Sequence, residues 1–194
     1  MSASPDRPSG NDVGQGPSLV LLVGPPAAGK LTINRELERR TGAIVVDNHL
    51  VNNAVFVPIG LNRSPEVRLE ATDALRARVW DVVIEATEAA PARLSHVFTV
   101  WLADAPGSAA HVERLRALAG RRGVRFVPVW LQAGTETLLA RVDDPDRAER
   151  GKLTDPGALR EILALPLLPA PEDALVLDTG TVSPDQAVDA ILDR

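Results

Sequence analysis

The stretch Gly24-Pro25-Pro26-Ala27-Ala28-Gly29-Lys30-Leu31-Thr32 constrains this chain more than any other. It follows the apolar run Leu19-Val20-Leu21-Leu22-Val23 and precedes Ile33-Asn34-Arg35-Glu36-Leu37-Glu38-Arg39-Arg40, which carries helical patterning. Strand, tight turn and helix, with G-x-x-x-x-G-K at the turn, is the setting in which successive main-chain N–H groups curl around a phosphate. The helix that follows adds unpaired amides and the positive end of its dipole. A nucleoside triphosphate is therefore expected on Gly24, Ala27, Ala28, Gly29, Lys30, Leu31 and Thr32, with Lys30 reaching the outer phosphates as a point charge. The plain alternative is a glycine turn beside a solvated lysine.

Two positions depart from the commonest form of this loop. Leu31 stands directly after the lysine, where Ser or Thr usually sits, and Thr32 comes one later. Thr32 is thus the hydroxyl expected near Mg²⁺ or the α-phosphate, with Leu31 packed under the loop. Ala27 occupies a place where such loops use glycine, and alanine at positive φ is strained.

Around this loop, apolar runs alternate with helical patterns. Strands are expected at 18–23, 43–47, 96–102, 124–131 and 174–178. Helices are expected near 30–40, 48–56, 65–91, 108–121, 135–142, 156–164 and 184–193. Continuous apolar runs suit strands buried on both faces, hence an α/β fold with a parallel sheet between helix layers. Pro128 inside the fourth run predicts a bulge or an early strand end, because proline donates no ladder bond. Helix 65–91 is the most clearly marked, with Ser64 as cap and Pro65 at its first position. Val67, Ala71, Leu75, Val79, Val82, Val83, Ala86 and Ala90 repeat at helical spacing and predict its core face.

With 194 residues, 45% of them hydrophobic, the chain can bury a core of one-domain size. A formal net charge of −5 argues against a general nucleic-acid binder or an anionic-membrane binder. The absence of cysteine excludes disulfides and thiol catalysis, and three scattered histidines give no zinc pattern. No apolar run approaches the roughly 20 residues a membrane helix requires. Residues 1–17 are rich in Pro, Gly, Ser and Asp, and are expected to form a disordered leader. The remainder, 18–194, is expected to be a single cytoplasmic domain, monomeric or homodimeric.

Three further groups of residues carry chemistry. Asp47-Asn48-His49-Leu50-Val51-Asn52-Asn53 ends the second expected strand, and ligands of open α/β sheets bind beyond strand carboxyl ends. Asp47, Asn48, His49 and Asn52 can grip a polyol, sugar or nucleoside, and Asp47 can take the proton of an attacking hydroxyl. Asp47 can equally cap the helix, and the two roles are compatible. His49 reads equally as a structural histidine. Asp104, just past the third strand, can hold Mg²⁺ through water or simply shape a turn. Arg147 and Arg150, in the charge-dense segment around 141–154, can close over phosphates as a lid or form a solvated loop.

Gly24, Pro26, Gly29, Lys30 and Thr32 match the G-x-P-G-x-G-K-G-T loop of adenylate kinase, whereas Ala27 and Leu31 replace glycines. An acid follows the second strand, an arginine-bearing segment precedes the last strand, and Asp178-Thr179-Gly180-Thr181-Val182-Ser183-Pro184 leads into the final helix. Over 18–194 the chain resembles the nucleoside-monophosphate-kinase-like branch of P-loop kinases, which includes adenylate, shikimate and gluconate kinases and chloramphenicol phosphotransferase. It is also similar to P-loop proteins labelled AAA-family ATPases, without the second arginine-rich signature of a ring motor. The resemblance implies a three-layer P-loop NTPase fold, with a five-stranded parallel sheet in order 2-3-1-4-5 and helices on both faces. It implies ATP and Mg²⁺ as cofactors, Thr179 and Thr181 beside the base, and phosphoryl transfer to a hydroxyl or phosphate of a small molecule. A nucleotide-binding switch with little transfer activity is the alternative from another class. Phosphorylation of a polynucleotide end is disfavoured by the acidic balance.

Overall fold

The computed structural model describes residues 16–61, 63–64, 66–142 and 153–194. The five apolar runs form β1 (Ser18–Val23), β2 (Ile44–Val46), β3 (His96–Val100), β4 (Arg125–Gln132) and β5 (Leu175–Asp178). All pairings are parallel, and the strand order is β2-β3-β1-β4-β5, as the family resemblance implies. The described helices are α1 (Lys30–Thr41), α2 (Asn48–Ile59), α3 (Asp73–Ala89), α4 (Ser108–Arg122), α5 (Thr135–Val142), α6 (Pro156–Ala164) and α7 (Pro184–Leu192).

Alternation along β1 divides the core in two. Val20 and Leu22 join Ile33 and Leu37 of α1, Leu138 of α5, Leu159 of α6, and Val188 and Ile191 of α7. Leu19, Leu21 and Val23 face the other way, onto Ile84 of α3 and Val112, Leu115 and Leu118 of α4. Burial on both faces explains why β1 reads as an unbroken apolar run. No helix among the described residues is long and apolar enough to cross a membrane.

Two sequence expectations are corrected here. β4 runs through Pro128 without a bulge, with Pro128 opposite Leu21 of β1. The Arg125 N–H donates toward β1, to Pro17, while the Gln132 carbonyl on the other edge accepts from Thr179. Alternation along the strand therefore turns the missing donor of Pro128 toward β5, whose pairing begins only at Val129. No ladder bond is lost.

The second correction concerns α3, which starts at Asp73 after a 3-10 turn, Leu69–Thr72. Ser64 instead accepts from the Glu66 N–H in a local turn, at 3.4 Å; Pro65 lies outside the described residues. The buried face of α3 is also rotated from the expected one. Ile84 and Thr87 are buried, while Val82 is 64% and Leu75 42% exposed. Thr72 and Thr87 tolerate burial because their hydroxyls bond the carbonyls of Leu69 and Val83, at 2.6 and 2.8 Å. Trp80 supplies bulk on that face, stacking on Phe98 of β3.

Candidate active site

The loop between β1 and α1 is held by its backbone. The Gly24 N–H donates to Val100 of β3, and Ala28 N–H donates to Pro25. A Cβ on Gly24 would meet the Leu131 carbonyl oxygen at 2.8 Å, so β4 leaves room only for glycine. Gly29 caps α1 at φ 84, and Ala27 takes φ 67, the one positive-φ non-glycine residue among those described. The strain anticipated at Ala27 is thus present in the backbone. The Lys30 ammonium donates to the carbonyls of Gly24 and Pro25, the latter at 2.9 Å.

Above this loop lies a cavity of about 590 Å³. Its floor comprises Ala27, Ala28, Gly29, Lys30, Leu31 and Thr32. Asp47, Asn48 and His49 line it from the end of β2, joined by Thr99 and Trp101 at the end of β3. On the other side stand Arg141, Thr179 and Val182. Strand carboxyl ends therefore converge with the P-loop, as expected of an open parallel sheet.

Asp47 takes the capping role at the edge of the cavity. One carboxylate oxygen accepts from the His49 N–H at 2.9 Å and caps α2, while the residue also lines the cavity. The Asn48 N–H donates to Thr99 Oγ1 at 3.2 Å, tying the first turn of α2 to β3. Asn52 is buried, its Oδ1 has no partner, and it is not among the cavity-lining residues.

Asp104 is not among the residues that line the cavity. It is exposed, and its N–H donates to Pro166 at 2.7 Å, next to an antiparallel bridge between Ala103 and Leu167. Thr179 is buried at the cavity wall, whereas Thr181 is exposed and its hydroxyl donates to the Asp178 carbonyl at 3.0 Å. Gly24 sits beneath the cavity rather than on its surface. Arg147 and Arg150 lie outside the described residues.

Arg141, Trp101, Thr99 and Arg35 are cavity residues that sequence reasoning did not assign to the site. Arg141 donates to Thr179 Oγ1 at 3.1 Å and to the Thr179 carbonyl at 2.7 Å, joining the end of α5 to the β5–α7 loop. The place of Arg141 at the head of the charged segment was the only sequence signal for it. Of the three tryptophans, Trp101 faces the cavity, while Trp130 is buried with its indole N–H donating to Leu168 at 2.8 Å.

The donors available to a divalent ion are the Thr32 hydroxyl and the Asp47 carboxylate, which line the same cavity. Among the described residues no group of three or more His, Asp or Glu side chains could hold a metal by itself. Two hard oxygen donors fit Mg²⁺, which keeps several waters and is usually completed by substrate phosphates.

The family model for an AAA domain matches residues 19–162. The chain belongs to this family. Comparison with curated proteins returns no significant match. Among solved structures it is similar to a candidate kinase of Chloroflexus aurantiacus, at 18% identity and TM-score 0.64, covering 93% of this chain and 96% of that one. It is similar to a gluconokinase of Sinorhizobium meliloti, at 16% identity and TM-score 0.59, covering 92% and 91%. It is likewise similar to the tunicamycin resistance protein of Deinococcus radiodurans, at 18% identity and TM-score 0.59, covering 92% and 95%. At these identities the likeness is one of fold. This AAA-family domain therefore shares the fold of the nucleoside-monophosphate-kinase-like P-loop kinases.

Proposed function

We propose that the protein is an ATP-dependent phosphotransferase that moves the γ-phosphoryl group to a hydroxyl or phosphate of a small molecule. The reading is carried by one cavity that combines the P-loop and Lys30 with the polar cluster at the end of β2. A binding module needs only the first of these. A transferase needs an acceptor beside the outer phosphates, so that positioning replaces a chance encounter.

In this reading the amides of residues 27–32 and the N-terminus of α1 hold the triphosphate. Lys30 leaves the carbonyls of Gly24 and Pro25 and follows charge onto the transferring group. Thr32 would hold Mg²⁺, which when bound screens the charge of the phosphates. Asp47 has one carboxylate oxygen engaged in capping; the other faces an acceptor hydroxyl and takes its proton. Asn48 and His49 orient the acceptor, with Thr179 and Val182 beside the base. Arg147 and Arg150 remain the proposed cations of a closing lid.

The test is a single-turnover reaction with γ-labelled ATP and a panel of small hydroxylated metabolites. Label recovered in a metabolite supports the transferase. Saturable ATP binding with no transferred label makes the protein a nucleotide-dependent switch instead.

A further inference from the structure

Helices α2 and α3 pack against each other, and a groove of about 620 Å³ opens between them. Pro58 and Ile59 of α2 line it, with Leu75, Arg78, Val79 and Val82 of α3. It shares no lining residue with the cavity above the P-loop. The helix surfaces around it are apolar as well. Leu50 and Val57, seven apart on α2, are 63% and 68% exposed, and Val82 is 64% exposed. None of the twelve residues of α2 is Asp, Glu, Lys or Arg. A solvated helix carries charge on its outer face, so α2 has the composition of a helix that is covered.

The charges of α3 decide what covers it. Asp73 pairs with Arg76, Asp81 with Arg114 and Glu88 with Arg121. The two remaining charged residues of the helix, Arg78 and Glu85, are exposed and make no ion pair or hydrogen bond among the described residues. They stand four residues before Val82 and three after it, on one stripe of the helix. At 1.5 Å per residue they are about 10 Å apart, with Val82 within about 1 Å of their midpoint along the axis. A twofold axis beside Val82 therefore sets Arg78 of one protomer level with Glu85 of the partner subunit, and the reverse pair forms on the other side. Parallel packing of the same stripe would oppose arginine to arginine and glutamate to glutamate.

We propose that the α2–α3 face binds a second copy of this chain, with the two α3 helices antiparallel about Val82 and the uncharged α2 helices closing the same interface. The proposal is independent of the phosphotransferase reading. It bears on the cavity all the same, because α2 begins with Asn48 and His49 in the cavity wall.

The test is sedimentation equilibrium of the full chain without nucleotide. Wild type is expected to pass from monomer near about 1 μM to twice that mass near about 100 μM, the range of a weak specific contact. Val82→Glu is expected to stay monomeric to the top of that range, with a circular dichroism spectrum like that of wild type. Arg78→Glu or Glu85→Arg alone sets like charges opposite each other and should weaken association about 10- to 100-fold. The double reversal restores it, and an equimolar mixture of the two single variants forms a mixed dimer. Below about 1 μM the chain unfolds as a monomer, so the stability of α3 variants is read there free of association. Wild type that stays monomeric, a dimer that survives Val82→Glu, or a double reversal that fails to restore association would each overturn the assignment. So would a monomer that co-sediments with zwitterionic lipid vesicles, which would give the face to a membrane surface.

Discussion

The loop ahead of α1 and helix α3 obey different kinds of constraint. In the loop, main-chain geometry chooses the residue: Gly24 meets the Leu131 carbonyl, and Gly29 and Ala27 take positive φ. In α3, side-chain packing chooses, and many apolar residues can satisfy it on either side of the helix. The loop can therefore be recognised from a few fixed letters. The orientation of α3 depends on what its neighbours bring, here Phe98 and His111 against Trp80.

Substitutions in the two regions sharpen that contrast. Lys30→Ala is expected to lower turnover about 10²- to 10³-fold, the scale seen on removing one donor aimed at transition-state charge. Single-turnover transfer from labelled ATP measures it, and an unchanged rate would remove Lys30 from its assigned role. In α3, Ile84→Ala should cost about 2–5 kcal/mol by cavity formation, whereas Val82→Ala, at 64% exposure, should stay within about 0.5 kcal/mol. Urea denaturation of both variants checks the rotated face, and the reverse order would restore the face expected from spacing.

Gly24→Ala forces a Cβ against backbone and should cost about 1–3 kcal/mol, the range for overpacking. Nucleotide binding should weaken with it, because the loop must shift to make room. An unchanged melting point would show that the loop is looser than its contacts indicate.

The α3–α4 contact has a pH signature of its own. Burial, and secondarily the charge of Arg114, pushes His111 down to about 4. Its ring meets Trp80 edge-on at 4.7 Å, and its Nε2 is buried without a partner. The unfolded chain takes up this proton near the ordinary histidine value while the folded chain resists it, so stability is complete above about pH 6.5 and declines toward pH 4. His96 acts in the same direction, held down by burial and then by Arg122. The slope from His111 should reach at most about 1.4 kcal/mol per pH unit. Melting curves of wild type and His111→Phe between pH 4 and 7 test it, since the variant should lose this part of the slope.

Ala27→Gly is a small expected change and the only one with a favourable sign. Relief at φ 67 should exceed the entropy lost with glycine, raising stability by roughly 0.5–1 kcal/mol. A lower melting point would mean that the Ala27 methyl, buried in the core beside β1, matters more than its backbone angle.

The same distinction explains what could be read without coordinates. Five strands, their parallel arrangement and the P-loop were readable because burial on both faces leaves continuous apolar runs and phosphate binding demands glycine. Asp47 was readable because it ends a strand. Thr99, Trp101 and Arg35 were not, since a threonine in a strand, a tryptophan after it and an arginine on a helix have many ordinary uses. Only the strand order and the turn of α1 bring them to one cavity. Asp104 illustrates the opposite case. An acid shortly after β3 suggests a metal ligand, yet Asp104 is not among the cavity-lining residues, and its segment pairs with the stretch at Pro166 and Leu167.

Helix α1 begins in the phosphate loop and ends in the grip of Arg40 on Asp185 and Asp189. Exposed ion pairs are weak alone, but here they border the apolar seam of Ile33, Leu37, Val188 and Ile191. In the proposed reading, the cradle for the triphosphate is thus clamped through α1 to the final helix, and the two form one anvil. Any stroke that brings two reactants together has to be delivered by the parts that face it, not by the anvil.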